Sequence, residues 1–329
     1  MTRGEPAGKV LVPRAPFKIG LLPWPQATDW ASLLDVGRRI DRAGYDSLWT
    51  WDHLYAIVGP PDQPIFEGWT TLAGWAGATE RVEIGLQVGA VPFRNPGVVA
   101  KMAVTLDHLS RGRAWLGVGG AWFQREHEAY GIDFGERVGQ RLDWMDEACA
   151  AWKAWFAGES YTSPPGAHYR FRDAVVRPFP VRGRLPLMVG GSGRKKTLRT
   201  AARYADGWNA VEPADVMGEL VDILAAHCAE AGRDPSEIEK TFGPVVIIRD
   251  EPREAQRVLD AALAHNQADP TERQEPWEAW CGPPEEIAAR CRPYLDLGFR
   301  HLIAELPAPF DLETVERLVE VRDLLSGRR

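Results

Sequence analysis

Short apolar runs alternate with stretches of helical periodicity along almost the whole chain, the pattern of β/α units on a parallel sheet. Phe17 to Leu22 predicts a first strand, and Leu33, Leu34, Gly37 and Ile40 give one apolar face to a helix over Asp29 to Ala43 that Gly44 stops. Ser47 to Trp51 predicts a second strand ending in Asp52-His53, followed by a short helix over Trp69 to Thr79. Val82 to Val88 reads as the third strand. After Asn95-Pro96, the positions Val99, Met102, Ala103 and Leu106 recur at three- and four-residue spacing, which predicts a helix with proline in its first turn. Ala114 to Val118 is the expected fourth strand, and Val138, Leu142, Met145, Cys149, Trp152 and Phe156 trace the buried stripe of a long helix.

Between Gly158 and Pro186 the pattern breaks; prolines, glycines and the alternating stretch Tyr169 to Val176 predict an inserted hairpin. Strands are then expected over Leu187 to Val189, Gly207 to Val211, Thr241 to Ile248 and Phe299 to Leu306. Helices are expected over Arg194 to Tyr204, Val216 to Ala231, Pro284 to Leu297 and Leu312 to Leu325. The polar segment from Asn266 reads as a mobile insertion in the seventh unit. Eight such units make an α/β fold of TIM-barrel type over residues 17–329, with insertions at about 158–186 and 266–280 and a flexible arm at 1–16.

Composition narrows the function classes. Of 329 residues, 45% are hydrophobic and 26% charged, which is globular rather than disordered. Lys and Arg total 39 against 46 Asp and Glu, a net charge of −7, so a nucleic-acid partner is not expected. No leader-like apolar segment and no long apolar run occurs, which predicts a cytoplasmic protein without a membrane partner. Cys149, Cys228, Cys281 and Cys291 never form a C-x-x-C pair, and no H-E-x-x-H is present, so no metal site is expected.

In a parallel barrel the residues just past each strand carry the chemistry. Trp51-Asp52-His53 follows the second strand: a carboxylate beside an imidazole can relay a proton, and the alternative is an ordinary strand-end cap. The segment Gly85 to Pro96 runs from strand into glycine, two prolines and Arg94, which is either a bulge under a flat ligand or a tight turn. Gly117-Val-Gly-Gly-Ala-Trp122 lacks the third glycine of the dinucleotide fingerprint. Val189-Gly-Gly-Ser-Gly193, with Arg194, Lys195 and Lys196 opening a helix, is either a phosphate cradle or a solvated charged loop. Glu126-His127-Glu128 cannot all point one way on a helix, so a solvated helix start outweighs a metal site. The remaining histidines read as structural.

Together Trp51-Asp52-His53, Phe93-Arg-Asn-Pro96, Ala100-Lys-Met-Ala-Val-Thr-Leu-Asp107, Ser110-Arg-Gly-Arg113, Leu116-Gly-Val-Gly-Gly-Ala-Trp-Phe123, Glu126-His127 and Ala129-Tyr-Gly131 carry a resemblance. Tyr204-Ala-Asp-Gly-Trp208 and Gly282-Pro-Pro-Glu-Glu286 extend it. In this order the motifs resemble the bacterial luciferase-like superfamily, most of all its coenzyme F420-dependent branch. The resemblance implies a deazaflavin, or alternatively FMN, at the strand C-termini. It implies a non-prolyl cis peptide at Gln87-Val88 and ring contacts from Asp52, Gly89, Ala90, Gly119 and Gly120. It further implies His53 as the proton donor or acceptor, and Gly190, Gly191, Ser192, Gly193 and Arg194 around the coenzyme's phosphate. Leu86 stands where many relatives carry Thr, and Trp122 where a sugar-phosphate branch carries Glu, so that substrate is disfavoured.

The expected activity is therefore hydride transfer between F420 and a small organic substrate, apolar or aromatic, held between Trp24, Trp51 and Trp122. The alternatives are an FMNH₂-dependent monooxygenase, which would need a flavin reductase partner, and a non-catalytic cofactor-binding protein. A homodimer is implied by the resemblance alone.

Overall fold

In a barrel strand, inward and outward side chains must alternate, and the last strand shows it plainly. His301, Ile303 and Glu305 face the interior, while Leu302, Ala304 and Leu306 pack outward against the helices. The computed structural model describes residues 16–269 and 279–326, so nearly all of the expected N-terminal arm and most of the second insertion lie outside the described residues.

Eight parallel strands close the barrel. They are β1 (Lys18–Pro23), β2 (Ser47–Thr50), β3 (Glu83–Leu86) and β4 (Ala114–Gly119). β5 (Leu187–Gly190), β6 (Gly207–Asn209), β7 (Glu239–Phe242) and β8 (His301–Leu306) follow, and β8 pairs with β1 from Lys18↔His301 to Pro23↔Leu306. Closure leaves the barrel sheet itself without an edge. The helices begin and end where the chain supplies caps: Asp29 accepts from Ser32 N–H at the start of Trp30–Ala43, and Gly44 at φ 86° ends it. Pro96 opens the helix Pro96–Leu109 under the Asn95 cap.

Two apolar layers result. One lies between sheet and helices; the other fills the barrel with Leu22, Trp49, Trp115, Met188 and Ile303. Below the inner layer, Glu239 accepts from Lys18 Nζ at 2.9 Å and meets His301 Nδ1 at 2.6 Å, while His301 Nε2 lies 2.7 Å from Ser47 Oγ. This polar floor seals the N-terminal end. The lysine and the imidazole hold the Glu239 carboxyl down at about 2 against the cost of burial.

Several expectations are corrected. The stretch Thr241 to Ile248 is not one strand: β7 ends at Phe242, and Val246–Ile248 pairs with Trp280–Gly282 outside the barrel. Gly243-Pro244 makes the break, since proline lacks the ladder N–H and a Cβ on Gly243 would lie 1.9 Å from Ile303 O. The insertion at 158–186 is an irregular hairpin: the antiparallel bridge Tyr161 to Ala174 and the Ser163 N–H on Phe171 O at 3.1 Å join its arms, with Asp173 at φ 46° interrupting the ladder. The helix expected from Arg194 starts at Thr197. Asn266 is no loose end either, being fully buried with its amide on the carbonyls of Ala262 and Ala308.

Candidate functional site

The C-terminal mouth of the barrel is assembled from the residues immediately past the strands. β2 runs into Trp51-Asp52-His53. Asp52 is buried at 2% exposure, and a buried carboxylate requires donors. Arg94 supplies two, Nη1 to Oδ2 at 2.7 Å and Nη2 to Oδ1 at 3.0 Å, and the Ala90 N–H adds a third at 3.2 Å. Burial raises the Asp52 pKa above the ordinary carboxylate range, and the guanidinium limits the rise. Arg94 also donates to Glu67 Oε1 at 2.7 Å, the carboxylate that caps Gly68–Ala78. What the geometry gives Asp52 is thus a grip on the segment after β3.

That segment is a bulge. β3 stops at Leu86, the Gln87-Val88 peptide is cis, and pairing resumes with Gly89–Ala90 against β4. The Val88 side chain fills the space that two glycines vacate. A Cβ on Gly190 would lie 2.8 Å from Val88 Cγ1, and one on Gly119 would lie 2.7 Å from Cγ2. Gly120 is tight as well, 2.7 Å from Leu142 Cδ2. The bulge therefore rests on β4 and β5 only because those positions lack side chains. Gln87 leaves its Oε1 buried without a hydrogen-bond partner, an acceptor awaiting a donor.

His53 is held from behind. Its Nδ1 lies 2.9 Å from Glu126 Oε1, and Glu126 Oε2 accepts the main-chain N–H groups of Leu54 at 2.8 Å and Tyr55 at 3.4 Å. Trp51, Trp122 and Phe123 surround the ring edge-on at centroid distances of 6.3, 5.6 and 6.3 Å. Among the described residues His53 Nε2 makes no hydrogen bond, so the second ring nitrogen is the one available to a ligand.

Glu126 was missed by sequence reasoning, which expected a solvated helix start at 126–128. The structure buries Glu126 and His127 and exposes only Glu128. The reason is helical spacing: Phe123 and His127 stand four apart and hydrogen-bond, with Phe93 and Phe134 each 4.6 Å from the His127 ring. Burial lowers the His127 pKa. Reading Phe123, Glu126 and His127 as one helix face is the signal that was available. Among the described residues no cluster could hold a metal ion.

The loop after β5 joins the same mouth, because Gly190 underlies Val88. Gly191 adopts φ 121°, its N–H donates to Asn209 O at 2.9 Å, and its carbonyl accepts from Trp208 Nε1 at 3.0 Å. Among the described residues the main-chain N–H groups of Ser192, Gly193, Arg194, Lys195 and Lys196 donate no hydrogen bond, which leaves a run of amides free for an anion. Two of the three basic side chains are committed elsewhere. Arg194 pairs with Glu219 at 2.7 Å, and Lys196 reaches Asp143 at 2.6 Å. The loop's capacity for an anion thus lies in its backbone amides, with Lys195 as the remaining basic side chain.

The three tryptophans divide. Trp24 and Trp51 are buried with centroids 5.0 Å apart and form the wall, whereas Trp122 is 55% exposed and forms the rim, stacked on Phe123. Ser110-Arg-Gly-Arg113 stays structural: the Arg113 guanidinium bonds Ser110, Thr79, Val82 and Ala76 at the other end of the barrel.

Comparison with known proteins gives a consistent picture. A family model described as luciferase-like monooxygenase matches residues 15–301. A phthiodiolone/phenolphthiodiolone dimycocerosates ketoreductase of Mycobacterium kansasii is 30% identical over 242 residues, 67% of this chain and 64% of that protein. The chain thus matches slightly less than two thirds of the length of that curated relative. An F420-dependent secondary alcohol dehydrogenase, solved with an F420-acetone adduct, superposes with a TM-score of 0.79 at 20% identity, covering 96% of this chain and 100% of that one. The oxygenating constituent of 3,6-diketocamphane monooxygenase from Pseudomonas putida, solved with FMN, gives 0.70 at 15% identity, with 95% and 99% covered. At these identities the two structures speak for the fold.

Proposed function

The chain belongs to the luciferase-like monooxygenase family, and within it we propose an oxidoreductase that exchanges a hydride between coenzyme F420 and the carbonyl or alcohol carbon of a small apolar substrate. The observation that carries this reading is the His53–Glu126 pair, 2.9 Å apart beside the Gln87-Val88 bulge. The residues present suit a flat ring with an acidic tail. Gly119 and Gly190 keep side chains away from the bulge at Val88, Gln87 Oε1 waits for a donor, and the free amides of Ser192 to Lys196 fit a phosphate.

The bound coenzyme supplies the hydride chemistry. The chain's own part is a proton. Glu126 holds Nδ1 of His53 and so fixes the ring with Nε2 toward the mouth, where it can give a proton to a substrate oxygen in reduction or take one in oxidation. Trp122 and Phe123 cover the reacting side with apolar surface. A ketone or secondary alcohol as substrate is supported by the names of the Mycobacterium relative and of the dehydrogenase neighbour.

The second reading, a monooxygenase using reduced FMN with a reductase partner, is favoured by the FMN-bound neighbour. Anaerobic turnover with each reduced cofactor separates them. Hydride transfer with F420 persists without oxygen, and activity that requires both reduced FMN and oxygen would replace the first reading by the second.

A further inference from the structure

One half-buried acid at the mouth has no part in the proton route of His53. Glu305 is the last inward residue of β8, above Ile303 and His301. Its Oε2 accepts the indole N–H of Trp24 at 2.9 Å. Among the described residues no cation pairs with it and its Oε1 makes no hydrogen bond. Glu305 lines a cleft with Gly243, Pro244, Val245, Trp280 and Tyr294, and the other titratable groups there are Glu212 and the Tyr294 hydroxyl, which donates to the Glu212 carbonyl at 3.1 Å. Among the described residues the cleft therefore offers no positive charge to a carboxylate.

Gln87 is a neighbour in this layer: a Cβ on Gly243 would lie 3.8 Å from Gln87 Nε2, and Gln87 Oε1 is the orphaned acceptor described above. Trp24 and Trp51 stand between Glu305 and His53, so the two groups address different parts of a ligand. A carboxyl that is uncharged donates an O–H, whereas an ionised one only accepts.

We propose that Glu305 and Gln87 form a second polar subsite of the mouth, in which the neutral Glu305 carboxyl donates to an uncharged carbonyl oxygen of the bound small molecule and anionic groups are turned away. The inference rests on the mouth being the ligand site, as proposed above. Desolvation in the cleft, only partly offset by the Trp24 hydrogen bond, supports it by pushing the Glu305 carboxyl up to about 7. The carbonyl belongs either to the coenzyme's ring or to the substrate.

Infrared difference spectroscopy of the carboxyl C=O stretch, in wild type and Glu305→Gln, tests the subsite. The expected result is a protonated-carboxyl band that titrates near neutrality in the free protein and is missing from Glu305→Gln, with melting temperature retained. Added coenzyme F420 shifts the band if the ring supplies the carbonyl; added acetophenone shifts it if the substrate does. Affinity for the ligand that shifts it falls about tenfold from about pH 6 to about pH 8 in wild type and stays flat in Glu305→Gln. A Glu305 band titrating in the ordinary carboxylate range, or one that neither ligand shifts, overturns the subsite. Fluorescence titration of F420 keeps the two ideas apart: failure to bind it defeats the coenzyme assignment while the neutral carboxyl stands or falls by its own band.

Discussion

Glu126 Oε1 lies 2.9 Å from His53 Nδ1, although the two residues stand 73 positions apart, and the same carboxylate accepts the main-chain N–H of Leu54. One buried acid thus fixes both the ring and the backbone that carries it. His53→Ala should lower turnover by roughly 10²- to 10⁴-fold, the usual worth of general acid–base catalysis, while coenzyme affinity stays close to wild type. Glu126→Gln keeps the shape but replaces the carboxylate that holds Nδ1, and should lower kcat by about tenfold or more while leaving coenzyme affinity close to wild type. Steady-state kinetics check both; an unchanged kcat in Glu126→Gln contradicts the orienting role.

Val88 and Gly190 can be tested as a contact. Gly190→Ala places a methyl 2.8 Å from Val88 Cγ1 and should cost on the order of 1 to 3 kcal/mol of stability while weakening coenzyme binding. Adding Val88→Ala opens room for that methyl, so the double variant should recover part of the loss, with a coupling of about 1 kcal/mol. Urea unfolding of the four proteins of the cycle decides, and strict additivity would show that the clash is relieved elsewhere.

The anion loop yields a contrast between side chain and backbone. Arg194 is committed to Glu219 at the surface, so Arg194→Ala should change F420 affinity less than about tenfold and stability by less than about 1 kcal/mol. Gly191 sits at φ 121°, which side chains rarely adopt; Gly191→Val should misplace the amides and cost at least about 1 kcal/mol in stability as well as coenzyme affinity. Isothermal titration with F420 measures both, and a greater loss from the arginine change would move the phosphate onto side chains.

The floor of the barrel predicts acid sensitivity. Glu239 titrates from an ordinary value of 4.5 down to about 2 when folded, so the unfolded chain binds the extra proton between those values. Stability from this group is complete above about pH 4.5 and disappears as pH falls toward about 2, a change on the order of 2 to 3 kcal/mol. Glu239→Gln should be less stable at neutral pH and show a flatter acid limb. Denaturant midpoints at several pH values provide the measurement.

The eight barrel strands and most of the helices around them were legible because inward and outward positions alternate over short runs and caps such as Asp29, Gly44 and Pro96 bound the helices; the helix Pro252–His265 was not read. Local chemistry also exposed His53 and the Gly190 to Gly193 loop as candidates. Arg94 lay in view within Phe93-Arg-Asn-Pro96, but its partners Asp52 and Glu67 did not, because they come from separate units. Thr241 to Ile248 read as one strand because the apolar pattern continues through Gly243-Pro244, where the chain leaves the barrel.

Periodicity and turn chemistry are properties of neighbouring residues, so the sequence by itself determined the order of elements, the barrel and the loops that crown it. Which charges meet was decided by closure of the sheet. It placed Glu126 behind His53, set Glu305 against the Trp24 indole in a cleft where no cation stands among the described residues, and turned Arg194 and Lys196 away from the amides beside them. Electrostatics inside a barrel depend on distance and burial, and both exist only once the strands have closed.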